Sequence, residues 1–254
     1  MKREIRTSFL KGMINRIYVN QRNSTNPVSI KSFDMKNILI IAPHADDEVI
    51  GCGGLIQHCT KINARVTVLI VTKEGKRSIS GSSLKPEKRI AESFNAKETL
   101  KYSELTYLSY SELELEQNEG ITSDLREKIE HFIQSKEIDS IFIPNDKERH
   151  PDHRITSRTC QHILTSKIYK SVKYIFKYEV WGPVMMNSYL ILDKNMLETK
   201  IAAMNEYKTQ LETVDYVEII LSINRKRGND ILQTTNSEAT IFAEGYELIY
   251  KDEN

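Results

Sequence analysis

The sequence of 254 residues lacks three features that would each assign it to a particular class of protein. It has no run of 18 or more apolar residues, so we expect no membrane-spanning helix. Its 36 Lys and Arg nearly balance its 35 Asp and Glu, which gives no electrostatic reason to expect DNA, RNA or an anionic membrane as the main partner. Its three cysteines are odd in number and have no paired spacing, which argues against a disulfide framework and for a reducing compartment.

Residues 1–36 differ from the rest of the chain because they are more basic. Their apolar residues recur every four positions, which predicts an amphipathic helix; these are Ile5, Phe9, Met13 and Ile17. Such a helix would contact the domain or a second subunit, or alternatively lie on a membrane surface. The first 20 residues do not resemble a signal peptide, so we expect a cytoplasmic location. We expect residues 37–254 to form one domain.

A cluster of ionisable residues follows the first strongly apolar stretch. Residues 38–43 form an aliphatic run that ends at a proline, which is typical of a strand buried on both faces of a sheet. His44, Asp46, Asp47 and Glu48 come directly after it. Carboxylates near a dry sheet lower stability unless they are compensated, and a metal cation is the simplest compensation. The alternative is that the acids only stabilise the start of the next helix.

A second cluster repeats this arrangement later in the chain. Residues 139–144 are again a short apolar run that ends at a proline, and His150, Asp152 and His153 follow at the start of a predicted helix. Two histidines three positions apart are a weak signal alone. Both clusters, however, follow predicted core strands, and the carboxyl ends of strands in α/β sheets are where ligands bind. Zinc in hydrolases usually has three protein ligands, so His44, one carboxylate of the first cluster and one histidine of the second form a candidate site.

Alternating apolar segments predict strands and helices along the rest of the chain. Strand, helix and strand over residues 38–72 are typical of a right-handed βαβ unit. The polar stretch 73–86 is predicted to be a loop that could cover the site. The other predicted elements are helices over 86–100, 123–135, 154–166 and 194–211, and strands over 105–108, 139–144, 172–180 and 188–192.

The two histidine motifs together resemble the signatures of a known family, the LmbE-like or PIG-L zinc-dependent N-deacetylases. Residues 42–48 (Ala-Pro-His-Ala-Asp-Asp-Glu) are similar to its (A/P)HPDDE motif, with Ala45 in place of the usual proline, and residues 150–153 match its HPDH motif. Weaker similarities lie at residues 89–92, 200–210 and 243–247. The resemblance covers most of the chain but not residues 1–36.

This resemblance implies a fold, a metal and a reaction. The fold would be a Rossmann-like three-layer α/β sandwich with a mostly parallel central sheet. Zinc would be bound by His44, Asp47 and His153, with Asp46 as the general base and His150 as the electrophile. The substrate would be an N-acetylated amino sugar or glycoconjugate of the N-acetylglucosamine type, and acetate would be released.

Three further residues near these motifs have expected roles. Asp152 is suited to orient His150 and keep it charged. Arg89 resembles a family position that contacts substrate, although a solvated ion pair with Glu92 would explain it equally well. Glu48 would stabilise the helix N-terminus or support the site.

Two other readings of the function remain open from the sequence. The metal site could instead cleave a phosphoester, although that would require more cationic groups than these motifs supply. The protein could also be a noncatalytic carbohydrate-binding protein of the same fold. The glycines 51, 53 and 54 are a weak dinucleotide-binding signal, because the preceding acidic turn would repel a pyrophosphate. Residues 225–228 are interpreted as an exposed turn.

Overall fold

The computed structural model describes residues 26–73, 86–117, 119–166, 169–235 and 241–252. The amphipathic helix predicted within residues 1–36 and most of the predicted loop 73–86 lie outside these ranges. None of the helices in the described ranges is both long and apolar enough to cross a membrane.

One eight-stranded sheet forms the centre of the protein, with strand order β1-β7-β8-β6-β5-β2-β3-β4. All neighbouring strands are parallel except those that pair with β8, which is antiparallel to both β6 and β7. The strands are β1 (Val28–Ser29), β2 (Asn37–Ala42), β3 (Arg65–Thr72), β4 (Glu104–Tyr110), β5 (Ser140–Pro144), β6 (Tyr174–Tyr178), β7 (Ser188–Leu192) and β8 (Phe242–Lys251).

Helices cover both faces of this sheet. The α-helices are α1 (Asp47–Lys61), α2 (Pro86–Leu100), α3 (Glu119–Ser135), α4 (Pro151–Ser166), α5 (Lys194–Met204), α6 (Lys208–Leu211) and α7 (Tyr216–Thr235). Buried residues of α1, α2, α5 and α7 belong to the core on one face, and those of α3 and α4 to the core on the other. The predicted three-layer α/β sandwich with a mostly parallel sheet is confirmed.

Strand β2 shows why an uninterrupted aliphatic sequence is needed at the centre of such a sheet. Successive side chains of a strand point to opposite faces. Ile38 and Ile40 pack in one core and Leu39 and Ile41 in the other, and all four are fully buried. A strand with helices on both faces has no solvent-facing side, so polar and apolar residues do not alternate along its sequence.

The order of the strands places the two ionisable clusters side by side. The chain runs from β2 outward to β3 and β4, then returns to the other side of β2 as β5. The strands β2 and β5 are therefore parallel neighbours at a topological switch point, and their carboxyl ends lie together. Residues 44–48 follow β2, and residues 145–153 follow β5.

Several local predictions differ from the structure. The predicted helix 194–211 is divided into α5 and α6, and neither α7 nor β8 was predicted. The interpretation of residues 225–228 as an exposed turn is wrong, because these residues lie inside α7 and Arg227 is buried. The Nε atom of Arg227 lies 3.0 Å from Glu179 Oε2, so this basic run contains a buried ion pair. The three cysteines are free and buried, as expected.

Candidate active site

The turn between β2 and α1 holds Asp46 in an unusual backbone conformation. Its φ and ψ angles are 113° and −30°, in a region that residues with a side chain rarely adopt. Its N–H donates to Glu48 Oε2 at 3.0 Å, and the fully buried Glu48 also accepts the hydroxyl of Tyr207. Glu48 therefore supports the turn that presents Asp46, which is the second of the two roles considered from the sequence. Backbone strain of this kind is concentrated at functional sites.

Three potential metal ligands converge at the ends of β2 and β5. His44 Nδ1 lies 3.1 Å from His153 Nε2 and 3.4 Å from Asp47 Oδ2, and the latter two atoms are 3.2 Å apart. All three residues are buried. A tetrahedral zinc ion with bonds of about 2.1 Å separates its ligand atoms by about 3.4 Å, so this nearly equilateral arrangement fits zinc.

His150 lies on the open side of this group. Its ring centre is 4.6 Å from that of His44, and its side chain is only partly buried. His44, His150 and His153 each have one ring nitrogen that lies within 4.8 Å of those of the other two. These histidines form a second possible ligand set. The distances among His44, Asp47 and His153 are the shorter ones, and His150 has the most exposed side chain of these four residues.

The carboxylates that contact these histidines differ from the expected ones. Asp152 was expected to orient His150, but its Oδ2 lies 3.1 Å from His44 Nε2 and 3.8 Å from His150 Nδ1. The same oxygen accepts the N–H of Leu113 at 2.9 Å. His150 Nε2 instead lies 3.2 Å from Oε1 of Glu112, a residue that the sequence analysis did not identify. Glu112 lies after β4, outside both motifs, so no spacing pattern indicated it.

Electrostatics distinguish the two adjacent aspartates. Burial alone would raise the pKa of Asp47, but His153 and His44 hold it well below the ordinary value. Burial raises the pKa of Asp46 well above its ordinary value, and Arg89 only partly opposes this. Burial alone would lower the pKa of His44, yet its hydrogen bonds to Asp152 and Asp47 raise that pKa to about 9. Asp47 is thus held in the anionic form in which a carboxylate binds a metal cation, whereas Asp46 is suited to accept a proton.

Arg89 is part of the site rather than of a solvated pair on α2. Its side chain is buried, and its Nη2 donates to the carbonyl of Ala45 at 2.8 Å and lies 3.5 Å from Asp46 Oδ2. Burial alone would lower the pKa of Arg89, but Asp46 and Asp47 raise it. The interpretation of an Arg89–Glu92 pair is wrong, because Glu92 accepts hydrogen bonds from the N–H and hydroxyl of Thr209.

Two of the segments that are weakly similar to the family, 200–210 and 243–247, contact each other and α1, the helix that begins at the site. Lys200 Nζ donates to Glu244 Oε1 at 2.6 Å, and both side chains are almost fully buried. Glu244 also accepts the N–H groups of Gly54 and Leu55 in α1. A Cβ atom would lie 2.2 Å from Tyr178 Cδ2 at Gly51, 2.8 Å from Lys200 Cγ at Gly53 and 2.2 Å from Leu192 Cδ2 at Gly54. The glycines of α1 thus allow close packing against neighbouring side chains, which explains them without dinucleotide binding.

An open cleft of about 790 Å³ begins at His150. Its walls come from the segments after β4, β5 and β6; the lining residues are Leu113, Lys147, Arg149, His150, Pro151, Trp181, Gly182 and Pro183. Most of the predicted loop 73–86 lies outside the described residues, so the cleft is formed by the other three segments as far as the structure describes it.

Comparison with known proteins finds a family model that covers both histidine motifs. This model, described as PIG-L, GlcNAc-PI de-N-acetylase, matches residues 39–164. These residues are thus similar to a PIG-L family domain. Diacetylchitobiose deacetylase of Thermococcus kodakarensis is 29% identical to it over 127 residues, which are 48% of this chain and 46% of that protein. The match therefore spans less than half of the length of that relative.

Solved structures with the same fold differ in the reactions that their names describe. N,N'-diacetylchitobiose deacetylase from Pyrococcus horikoshii has a TM-score of 0.65 and 23% identity, with 85% of each chain covered. GalB, the 4-carboxy-2-hydroxymuconate hydratase from Pseudomonas putida KT2440, has a TM-score of 0.69 and 16% identity, covering 87% of this chain and 98% of that one. At these identities the likeness concerns the fold alone, so the reaction of this protein must be argued from its residues.

Proposed function

We propose that the protein is a zinc-dependent hydrolase that removes the N-acetyl group from an amino sugar or sugar conjugate of the N-acetylglucosamine type and releases acetate. The observation that supports this most directly is the arrangement of His44 Nδ1, Asp47 Oδ2 and His153 Nε2 at mutual distances of 3.1–3.4 Å. Asp46 and His150 lie beside these atoms, as the hydrolysis of an amide requires. The PIG-L match and the deacetylase named among its relatives support the choice of an N-acetyl substrate.

The three ligand residues and Asp46 have separate tasks in this proposal. Zinc held by His44, Asp47 and His153 would polarise the amide carbonyl and lower the pKa of a water molecule to about 7. The carboxylate of Asp46 takes the proton from the attacking water. Arg89 holds the turn at Ala45 and lies beside Asp46, which restricts the orientation of that carboxylate. A direct contact of Arg89 with substrate stays a prediction.

His150 is assigned to the oxygen of the scissile carbonyl. A protonated His150 that donates to this oxygen would stabilise the negative charge of the tetrahedral intermediate. The carboxylate of Glu112 lies 3.2 Å from His150 Nε2 and restricts the orientation of the ring. Either Asp46 or His150 can return a proton to the departing amine.

The phosphoester reading is less well supported by the surroundings of the site. Phosphoryl transfer depends on cations that neutralise the charge on the transferred group. Arg89, the buried cation next to the proposed ligands, already pairs with Asp46. The deacetylase reading needs no additional cation, because an acetamide is neutral.

The test is to measure zinc content and product release on the same purified protein. We expect bound zinc and the release of acetate from N-acetylglucosamine or N,N'-diacetylchitobiose, with loss of zinc in His153→Ala. His131→Ala is the matched control, because His131 is exposed on α3 and distant from the motifs in sequence. Release of phosphate but not acetate from N-acetylglucosamine 1-phosphate would support the phosphoesterase instead. Sugar binding without either product would support a noncatalytic protein.

A further inference from the structure

The turn that carries Asp46, residues 44–47, is held by α1 on one side only. Asp46 has φ 113°, a conformation that is strained for any residue with a side chain. Its carbonyl oxygen accepts the N–H groups of Val49 and Ile50 at 3.0 Å, which begins the helix. Its own N–H has no partner within the helix, because the first N–H groups of a helix lack a preceding carbonyl. Another acceptor must therefore hold this side of the turn.

Glu48 supplies this acceptor and connects it to a residue far along the chain. Glu48 Oε2 accepts the Asp46 N–H at 3.0 Å, and Glu48 Oε1 accepts the hydroxyl of Tyr207. Each carboxylate oxygen thus has its own partner, and the side chains of Glu48 and Tyr207 are fully buried. Hydrogen bonds to a carboxylate are strong and directional. The Tyr207 hydroxyl therefore fixes the rotation of the carboxylate and with it the acceptor for Asp46.

Tyr207 is itself fixed at the corner between α5 and α6, residues 205–209. Its N–H donates to the carbonyl of Met204 at 3.0 Å, at the end of α5. Two residues after Tyr207, Thr209 donates its N–H and its hydroxyl to the buried carboxylate of Glu92 in α2. The corner is thus bound to α2 as well as to the turn before α1.

The helix α2 also contacts this turn. Arg89, three positions before Glu92, donates to the carbonyl of Ala45 at 2.8 Å and lies 3.5 Å from Asp46 Oδ2. The corner therefore reaches Asp46 by two routes. Its N–H is held through Glu48, and its carboxylate is held through α2.

We propose that Tyr207 is a positioning residue for the general base, and that its hydroxyl, through Glu48, keeps the Asp46 carboxylate where it can take a proton from water. The hydroxyl binds Glu48 and not a proposed metal ligand, so its loss should affect turnover rather than zinc binding. The inference rests on the proposed function, because it concerns the base of that reaction. It assigns a role in turnover to a residue that lies 159 positions after Glu48, outside both histidine motifs.

The first test is Tyr207→Phe, which removes the hydroxyl and keeps the ring. We expect kcat for acetate release from N,N'-diacetylchitobiose to fall by about tenfold, because a displaced base transfers protons poorly, while KM and zinc content change by less than about twofold. Glu48→Ala should lower kcat at least as much. Glu48→Gln should recover most of this loss, since its amide can still accept the Asp46 N–H and bind the Tyr207 hydroxyl.

Tyr246→Phe is the matched control. The hydroxyl of Tyr246 donates to Glu244 in another buried tyrosine–glutamate pair, but Glu244 binds N–H groups in the middle of α1 and not that of Asp46. Both tyrosine variants should lower the urea midpoint of unfolding, whereas only Tyr207→Phe should lower kcat. An equal loss of kcat in both variants would show that Tyr207 acts through stability alone and would overturn the proposal.

A double variant tests whether Tyr207 acts through Glu48. In the Glu48→Ala background, Tyr207→Phe should change kcat by no more than about twofold, because the group that transmits its effect is already absent. A further tenfold fall, on the order of the single variant's loss, would show that Tyr207 acts by another route and would overturn the proposal.

The turn can also be followed without turnover, by NMR measurement of hydrogen exchange at the Asp46 amide. We expect exchange to be about tenfold faster in Tyr207→Phe and unchanged in Tyr246→Phe. An unchanged kcat in Tyr207→Phe would overturn the positioning role and leave the deacetylase proposal intact. If the unaltered protein released no acetate, the deacetylase proposal would fail, and the exchange rate would still decide whether Tyr207 holds the turn.

Discussion

The carboxylate of Asp152 lies 3.1 Å from Nε2 of His44, although the two residues are 108 positions apart in the sequence. The other ring nitrogen of His44, Nδ1, is the atom that faces Asp47 and His153. Asp152 therefore fixes the orientation of a proposed metal ligand, and the contact joins the first histidine motif to the second. Carboxylates that hold a ligand histidine in this way are a common part of zinc sites.

Asp152→Asn should weaken zinc binding without preventing it. The asparagine keeps an oxygen for the N–H of Leu113 but lacks the charge that orients His44, so zinc affinity should fall by about 10- to 100-fold. Competition with a chelator measures this change. Asp193→Asn is the control, because Asp193 is exposed and its cap to the Met196 N–H suits asparagine equally well. Unchanged zinc affinity in Asp152→Asn would contradict the assigned role.

Glu112→Gln should affect turnover rather than metal binding. Glu112 contacts His150, which is not one of the proposed zinc ligands, so Glu112→Gln should lower kcat by about tenfold or more while zinc content and KM change little. Glu112→Asp should restore part of kcat if the carboxylate can still reach the ring. Glu116→Gln, at an exposed position in the same segment, is the matched control. A loss of zinc in Glu112→Gln would instead indicate that His150 is a ligand.

Asp46→Asn and His153→Ala should separate catalysis from metal binding. Asparagine has nearly the shape of aspartate but cannot take a proton, so Asp46→Asn should retain zinc while kcat falls by about 10²- to 10⁴-fold. His153→Ala removes one of three proposed ligands and should lose zinc as well as activity. Zinc analysis and acetate release on both variants check this. A wild-type rate in Asp46→Asn would show that another group is the base.

The place of the proposed metal site could be predicted from the sequence because both ionisable clusters come after core strands, whereas the choice of His44, Asp47 and His153 came from the resemblance to the family. A continuous aliphatic run such as residues 38–42 is visible without a structure, and parallel strands bring their carboxyl ends together. The partner of His150 could not be found in this way. Glu112 lies in an irregular segment 38 positions away, and only the packing of that segment against α4 makes the contact.

The other wrong predictions concern charged side chains that are buried against residues far away in the sequence. Arg89 lies three positions from Glu92, which is the spacing of a surface pair on a helix, yet both residues are buried against different partners. Arg227 belongs to a run of charges that is typical of an exposed turn, but Glu179 compensates it in the interior. Local patterns report charge and periodicity. They do not report which distant group neutralises a charge.

The buried pair between Lys200 and Glu244 should be required for stability. Glu244 accepts hydrogen bonds from Lys200 Nζ, from two N–H groups of α1 and from the hydroxyl of Tyr246. Lys200→Met would leave this carboxylate buried without a cation, and breaking such a pair costs about 3–5 kcal/mol. The free energy of unfolding in urea measures the loss.

An exposed lysine provides the comparison for this variant. Lys226 pairs with Asp230 one turn along α7 at 2.9 Å, and its side chain is 61% exposed. Lys226→Met should change the free energy of unfolding by no more than about 0.5 kcal/mol, because water screens and replaces the lost interaction. Equal effects of Lys200→Met and Lys226→Met would show that Glu244 is adequately stabilised by its other donors. In that case the similarity around residues 200 and 244 would need another explanation than charge compensation.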